Sequence, residues 1–281
     1  MTSIALLLMV TSAFAHAGWN YVTKQVRASP AFLWAFDAVS LVVYAPLAVA
    51  VLVVQRPLLG PPALVFMAGS AVLHLAYFLL LLRAYRAGDL SMVYPLARGS
   101  APLLATAAGL VLFAERPTAL ALAGILLIVA GGVVTGWDRA PGSAAAVCYA
   151  LLTGVFIAAY TVWDKQAVSG VHVPPVVYSW GADLGRLLLL SPWALRRRDQ
   201  VAAVWRDQRR EALTVGVLSP LAYLLVLVAL TLAPVYLVAG RELGPLIGTV
   251  LGLRLLRERG AWRRLPAAGA MVAGIALLAL G

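Results

Sequence analysis

The sequence has few charged residues and almost none of the residues that form disulfides or bind metals. Of its 281 residues 12% are charged, three are histidines and one, Cys148, is a cysteine. A single cysteine excludes an internal disulfide, and neither cysteine nor histidine recurs at the spacing of metal ligands. The chain also lacks the HExxH, GxSxG, CxxC and P-loop patterns of catalytic and nucleotide sites. We therefore expect no enzymatic activity, no metal and no cofactor.

The scarcity of charge excludes a water-soluble surface. Hydrophobic residues make up 63% of the chain, and the mean hydropathy is +0.92. Apolar stretches of about 20 residues, the length that crosses a hydrocarbon core of about 30 Å, recur from one end to the other. We predict an all-α integral membrane protein with ten transmembrane helices. The predicted helices are 3–24, 30–54, 63–83, 89–113, 118–137, 143–163, 174–195, 212–232, 233–256 and 261–280.

Basic residues outnumber acidic ones, 22 to 11, but this excess does not indicate nucleic-acid binding. Nearly all of the lysines and arginines lie in short links between apolar runs, where membrane proteins carry cytoplasmic charge. When the links are assigned to alternate sides, 16 fall on one side and three on the other. We therefore predict a multi-pass protein of the cytoplasmic (inner) membrane with both termini outside. The arginine-rich link after helix seven, with Trp205, is predicted as a solvated loop, or alternatively as a contact to anionic headgroups.

The chain contains one long motif twice. The segment YPLARGSAPLLATAAGLVLFAER at 94–116 recurs as LVAGRELGPLIGTVLGLRLLRER at 237–259. Further corresponding pairs are Asp37 and Asp183, Trp34 and Trp180, Lys24 and Lys165, and Glu115 and Glu258. We predict a duplication into residues 1–140 and 141–281, with five helices in each half.

Five helices per half have a geometric consequence. Because an odd number of crossings makes the second copy enter from the opposite side, we expect the halves to be inverted about an axis in the membrane plane. This symmetry is typical of secondary transporters. It provides two nearly equivalent arrangements around a site near the midplane, and exchange between them gives alternating access.

Several short motifs, taken together, resemble a known family. The first helix contains His16-Ala17-Gly18-Trp19-Asn20 with Lys24 four residues later, and the fourth and ninth helices contain proline and end in Glu-Arg before a glycine-rich helix. This order is similar to that of the EamA branch of the drug/metabolite transporter superfamily. The resemblance implies a ten-helix secondary transporter with a cavity lined by helices one, three, four, six, eight and nine. Members carry amino acids, sugars, amines, phosphorylated compounds and drugs, so no particular substrate is implied.

Two arginines interrupt the apolar runs of the duplicated motif. Arg98 lies about nine residues into predicted helix four, roughly 13 Å deep, and Arg241 occupies the same place in helix nine. Small residues follow each arginine three, seven and eleven positions later, on the same helix face, so we expect both side chains to point toward protein. Two guanidinium groups that converge there would bind a carboxylate, phosphate or phosphonate in bidentate fashion.

A structural alternative for these arginines stays open. Asp37 and Asp183 also lie at membrane depth, and each arginine can instead neutralise one of them, with Glu242 as a third acidic partner. Intramembrane charges generally pair with one another. Substrate binding and structural pairing carry equal weight from the sequence, and a single arrangement can do both.

Other polar and aromatic residues share helix faces with these charges. His16 and Asn20 share a face of helix one, and His74 and Tyr77 share one of helix three; each histidine is either a proton-coupling group or an interhelical hydrogen bonder. Aromatic residues form either a cavity wall or an interfacial belt. The candidate substrate-binding residues are Arg98, Arg241, Asp37, Asp183, Trp19, Asn20, His74, Tyr77, Tyr94, Tyr160, Tyr223 and Tyr236, and the candidate coupling residues are His16 and Glu242.

Two charged motifs at helix ends receive structural interpretations. Lys24 and Lys165 are predicted to extend to the lipid headgroups. Glu115 and its counterpart Glu258 are predicted to fix the turns into helices five and ten.

The sequence thus predicts a secondary transporter of a small anionic or zwitterionic metabolite, of the amino acid, organic acid or phosphonate class. Protons or a counter-solute would drive it. The alternative is an exporter of cationic amines or drugs that uses Asp37, Asp183 and the aromatic residues. A membrane enzyme or lipid-handling protein is the third hypothesis, and the absent catalytic patterns count against it.

Overall fold

The computed structural model describes residues 2–24, 26, 29–87, 90–136, 144–242 and 265–280, and every regular element in them is helical. The α-helices are α1 Thr2–Lys24, α2 Pro30–Gln55, α3 Pro61–Ala87, α4 Leu90–Leu112, α5 Ala119–Gly136, α6 Ala144–Lys165, α7 Pro175–Arg196, α8 Arg198–Asp207, α9 Arg209–Leu232 and α10 Leu265–Leu280. A π-helical turn, Gln166–Gly170, continues α6, and a 3-10 helix, Val235–Glu242, follows α9.

Local sequence signals explain where several helices begin and end. Pro30 and Pro175 stand in the first turn of α2 and α7, where the missing N–H leaves no hydrogen bond unmade. Ser29 Oγ caps α2 by accepting from the Phe32 N–H at 3.2 Å. Arg56 ends α2 with a left-handed backbone (φ 44°), and its N–H donates to the Leu52 carbonyl.

The ninth predicted helix differs from the structure in its described part. Predicted helix eight ends at residue 232, as α9 does, but residues 233–256, which were predicted as one α-helix, begin as the 3-10 helix Val235–Glu242. Pro234 accounts for the break, because it has no N–H to donate and its ring clashes with the preceding turn. Residues 243–256 lie outside the described residues.

The arginine-rich link is also different from the loop that the sequence predicted. Residues 198–207 form α8, whose Val201, Val204 and Trp205 recur at helical spacing and pack with Phe32 of α2. The apolar stripe of α8 is therefore covered by protein. Its arginines face outward.

Within the part of the chain that the structure describes, five helical segments are long and apolar enough to span a membrane: Ser3–Thr23, Pro30–Gln55, Pro61–Ala84, Ala144–Gly170 and Arg209–Leu232. Leu96–Leu112, Ala119–Gly131 and Gly269–Leu280 are shorter apolar stretches. Length and composition therefore identify a multi-pass helical membrane protein. The arrangement as ten spans in inverted halves stays a prediction.

Helix packing joins the two halves of the chain. α1 packs on α9 and on the 3-10 helix, while α6 packs on α3 and α4. α2 packs on α7 and α9, and α7 also packs on α3. α5 pairs with α10, where a Cβ on Gly124 would lie only 2.5 Å from the Gly274 carbonyl oxygen. The two helix backbones approach closely because both positions are glycine.

The bundle has two ends with different packing. At the end where α6 and α9 finish, called here the Lys165 face, one large core joins α1, α3, α6, α7, α9, α10 and the 3-10 helix. At the opposite end, called here the arginine face, the described residues form two separate cores. One lies around Phe32, Leu190 and Val204, and the other joins α3, α4 and α6 through alanines. Within the described residues, the single large core therefore lies at the Lys165 face.

Candidate functional site

Four aromatic side chains from three helices meet in the interior. His74 of α3 stacks on Tyr160 of α6 with ring centroids 4.0 Å apart, and Tyr223 of α9 lies edge-on to both, 5.0 Å from His74 and 5.9 Å from Tyr160. Tyr77 of α3 adds a contact of 5.8 Å to Tyr160. These four residues are called here the aromatic cluster. The sequence analysis named all four as candidates, and the structure brings them together between α3, α6 and α9.

A buried carboxylate, which the sequence analysis did not name, lies beside this cluster. Asp164 of α6 is 0% exposed and accepts hydrogen bonds from Tyr178 Oη of α7, at 2.5 Å, and from Tyr223 Oη of α9. Through these bonds Asp164 joins α6 to α7 and α9. The predicted end of helix six at residue 163 placed it outside the membrane, which is why it was missed.

A second network joins α2 and α7. Arg186 Nε donates to Asp37 Oδ2 at 2.8 Å, and its Nη2 donates to Asp183 Oδ1 at 2.9 Å and also to Asp37 Oδ1. Ser40 Oγ donates to the other Asp183 oxygen at 2.6 Å. The sequence interpretation gave these aspartates Arg98 or Arg241 as partners, whereas the structure pairs both with Arg186. The available signal was Arg186 itself, which lies three residues after Asp183 on the same helix face.

Arg98 occupies the interior side of α4. It is 5% exposed, and Ala101, three residues later on the same face, is 3% exposed and packs against Ile157 and Tyr160 of α6. The buried alanine places this face of α4 next to the aromatic cluster. Arg98 thus lies on the inward face, as its spacing predicts.

The remaining candidates take different places. Trp19 Nε1 donates to His16 Nδ1 at 3.1 Å, and Trp19 packs with the Phe32 core near the arginine face. Tyr236 packs against the large core at the Lys165 face. The side chains of Asn20, Tyr94, Arg241 and Glu242 lie outside what the structure describes.

A group of polar contacts closes the Lys165 face. Lys165 Nζ donates to the carbonyl oxygens of Leu230, at 2.6 Å, and Ala233, at 2.8 Å, and Ser169 Oγ donates to Leu230 at 2.8 Å. These carbonyls are at the end of α9, where intrahelical partners run out and a positive charge is favourable. The prediction that Lys165 extends to headgroups is therefore wrong.

Glu115 completes this closure. Its Oε1 accepts from the Val235 N–H at 2.7 Å, where the 3-10 helix begins. Glu115 was predicted to fix the turn into helix five, but it binds the other half of the chain. Lys165, Ser169 and Glu115 with their backbone partners are called here the clasp. The clasp holds α6 and the end of α4 to the junction between α9 and the 3-10 helix.

Comparison with known proteins agrees with this architecture. Residues 144–280 match the model of the EamA-like transporter family. A solved crystal structure is similar in fold over 98% of this chain and 96% of that chain, with a TM-score of 0.78 and 19% sequence identity. Identity this low shows the fold alone. No curated protein matches the chain.

Proposed function

We propose that the whole chain is a secondary transporter of a small anionic or zwitterionic metabolite, because residues 144–280 match the model of the EamA-like transporter family. It works by alternating access across the cytoplasmic membrane, with inverted five-helix repeats at residues 1–140 and 141–281. The arginine face is cytoplasmic and both termini are outside, because the exposed arginines of α8 and its neighbours lie on that face.

Reciprocal packing supports the inverted repeat. In the proposed repeat α1 corresponds to α6, α2 to α7 and α3 to α9. The segment that begins with the 3-10 helix corresponds to α4, and α10 corresponds to α5. The contact of α1 with α9 then has its counterpart in the contact of α6 with α3, and the contact of α2 with α9 has its counterpart in that of α7 with α3. The contacts of α2 with α7 and of α5 with α10 each join an element to its own counterpart. A duplicated unit related by a two-fold axis produces this pattern.

The observation that carries the proposal is the position of the aromatic cluster relative to the two ends. His74 and Tyr77 belong to α3 in the first half of the chain, whereas Tyr160 and Tyr223 belong to the second half, so the cluster bridges the two halves. The clasp and the large core close the bundle on the Lys165 face, while the cores on the arginine face are separate. A solute site reached from the arginine face, and shut from the other, is one of the two states that alternating access needs.

Two observations support a substrate class: the partner of the two aspartates and the position of Arg98. Asp37 and Asp183 are both bound to Arg186, so they are poorly placed to receive the cationic amine of the alternative function. Arg98 brings a guanidinium to the side of α4 that faces the aromatic cluster, and guanidinium pairs with carboxylate and phosphate groups. We therefore favour an anionic or zwitterionic metabolite.

A thermal-shift screen of the purified protein tests this proposal. Ligands that bind only the folded state raise its Tm, by the equivalent of about 2.7 kcal/mol at 100 times Kd. We expect amino acids, organic acids or phosphonates to raise Tm, and Arg98→Gln to remove the effect. Arg116→Gln, which changes an exposed arginine of the same half, is the matched control and should keep it. Stabilisation by quaternary amines alone, unchanged in Arg98→Gln, would contradict the proposed substrate class.

A further inference from the structure

We infer that Asp164 is the site that binds a coupling proton. This inference rests on the proposed transport function and names the ion that drives it. The sequence analysis placed coupling at His16 or Glu242, and neither is needed for the site described here. Asp164 combines complete burial with hydrogen bonds that join α6 to α7 and α9.

The surroundings of Asp164 differ from those of the other buried aspartates. Asp37 and Asp183 share the guanidinium of Arg186, a cation that is permanently charged. Asp164 is equally buried, yet within the described residues no lysine, arginine or histidine forms an ion pair with it. A buried carboxylate without a cation is costly, and binding a proton removes that cost.

The donors around Asp164 suit a group that gains and loses a proton. Tyr178 and Tyr223 bind it through hydroxyl groups, which donate to a carboxylate and also accept from a carboxylic acid. The hydrogen-bonded network therefore stays intact in both protonation states. A guanidinium can only donate, so the network of Arg186 does not have this property.

The location of Asp164 connects its proton to the conformation of the bundle. Its bond to Tyr223 crosses from α6 to α9, and the next residue, Lys165, holds the end of α9 in the clasp. Hydrogen bonds to an ionised acceptor are roughly twice as strong as neutral ones. Protonation of Asp164 thus weakens the attachment of α6 to α9 and favours opening of the Lys165 face.

Other titratable groups face this region from each neighbouring element. They are His74 from α3, Arg98 from α4, Glu115 from the link after α4, Tyr160 and Lys165 from α6, Tyr178 from α7, Tyr223 from α9 and Tyr236 from the 3-10 helix. Lys165 and Glu115 are bound to backbone groups of the clasp. His74 is a further titratable side chain in this region, so it needs its own control.

Infrared difference spectroscopy of the purified protein tests proton binding directly. As the pH is lowered from about 8 to about 5, we expect the carbonyl band of a buried carboxylic acid to appear, and to be absent in Asp164→Asn. It should persist in Asp207→Asn, which changes an exposed aspartate of α8, and in His74→Gln. Tyr223→Phe keeps the carboxyl group and should shift the band in frequency, because one hydrogen bond is lost. This variant decides the question if Asp164→Asn does not fold. Three results would overturn the inference. The band could be absent from the unmodified protein, it could be unchanged in both Asp164→Asn and Tyr223→Phe, or it could be lost in Asp183→Asn instead.

A second measurement separates coupling from a purely structural role. In a Cys148→Ser background, the buried Leu227 of α9 is changed to cysteine. The rate at which this cysteine reacts with a membrane-impermeant thiol reagent is divided by its rate in the unfolded protein at the same pH. We expect faster reaction at low pH, and a fast, pH-independent reaction when Asp164→Asn is added. A pH response that survives Asp164→Asn would refute coupling. Both measurements work without a solute, whereas failure of the transport proposal would show as absent solute movement in proteoliposomes.

Discussion

The clasp leads to a quantitative prediction for Lys165→Met, which keeps the length of the side chain and removes its charge and donors. In the observed conformation the ammonium group makes two hydrogen bonds to the end of α9, at 2.6 Å and 2.8 Å. Hydrogen bonds of a charged group contribute about 1.5–3 kcal/mol. Lys165 is only partly buried, and water solvates both the ammonium and the freed carbonyls when the face opens. The net preference for the closed conformation is therefore about 1–2 kcal/mol, a factor of about 5–30 in the conformational equilibrium.

The reactivity of a cysteine at position 227 measures this equilibrium. Leu227 is 0% exposed in the core of the Lys165 face, so a membrane-impermeant thiol reagent reaches a cysteine there only when that face is open. In a Cys148→Ser background, Lys165→Met should raise the labelling rate about 5–30-fold, in proportion to the open fraction. The rate is compared with that of the same cysteine in the protein with Lys165 intact.

The internal repeat provides a matched control for this experiment. Lys24 corresponds to Lys165, so the repeat assigns it the same role at the arginine face in the opposite conformation. Lys24→Met should then destabilise the conformation that is open at the Lys165 face and lower the labelling rate of position 227. Unchanged labelling in Lys165→Met, or a shift in the same direction for both variants, would refute the reasoning.

Three further predictions concern other contacts. Arg186→Gln leaves Asp37 and Asp183 buried without their cation, so it should destabilise the protein by about 3–5 kcal/mol and lower Tm in thermal unfolding. Arg206→Gln removes only an exposed ion pair, so it should lower Tm far less. Gly109→Ala would place a Cβ 2.6 Å from Glu115 Oε2, so it should break the hydrogen bond between Glu115 and the Val235 N–H and raise the labelling rate at position 227. Gly269→Ala, with no atom within 4 Å of its Cβ, should leave the labelling rate unchanged. At the exposed end of α8, Arg206 donates to Asp207 and lowers the pKa of its carboxyl group. The stabilisation from this pair is therefore present above the ordinary pKa of aspartate, and it is lost as pH falls through the lowered pKa. Carbon NMR should find the titration midpoint of Asp207 higher in Arg206→Gln, and an unchanged midpoint would contradict the contact.

The sequence predicted most of the helical frame because its signals are local. An apolar run of about 20 residues has one stable form in a bilayer, a helix that satisfies its own backbone groups. The boundaries of α2 agree with the prediction to within one residue, because proline marks its start. Helical spacing also predicted correctly that His74 and Tyr77 share a face of α3 and that Arg98 points inward.

The sequence was less informative about helices whose apolar face is short or interrupted. α8 has only three apolar residues at helical spacing, and its arginines led to the prediction of a loop. The 3-10 geometry after Pro234 was not predicted either, because residues 233–256 were expected to form one α-helix. Whether a proline bends a helix or ends it depends on which partners receive the freed backbone groups, and at this position Glu115 receives the Val235 N–H.

By itself the sequence determined that this is a duplicated, helical membrane protein with charges inside its apolar runs. Those properties follow from composition, periodicity and repetition along one chain. Only the tertiary structure decided which charges meet: Arg186 with both aspartates, Lys165 with the end of α9, and Asp164 with hydroxyls from Tyr178 and Tyr223. These partners lie on different helices, and the strength of a polar contact depends on the distance and burial that packing creates, which no spacing along the chain encodes.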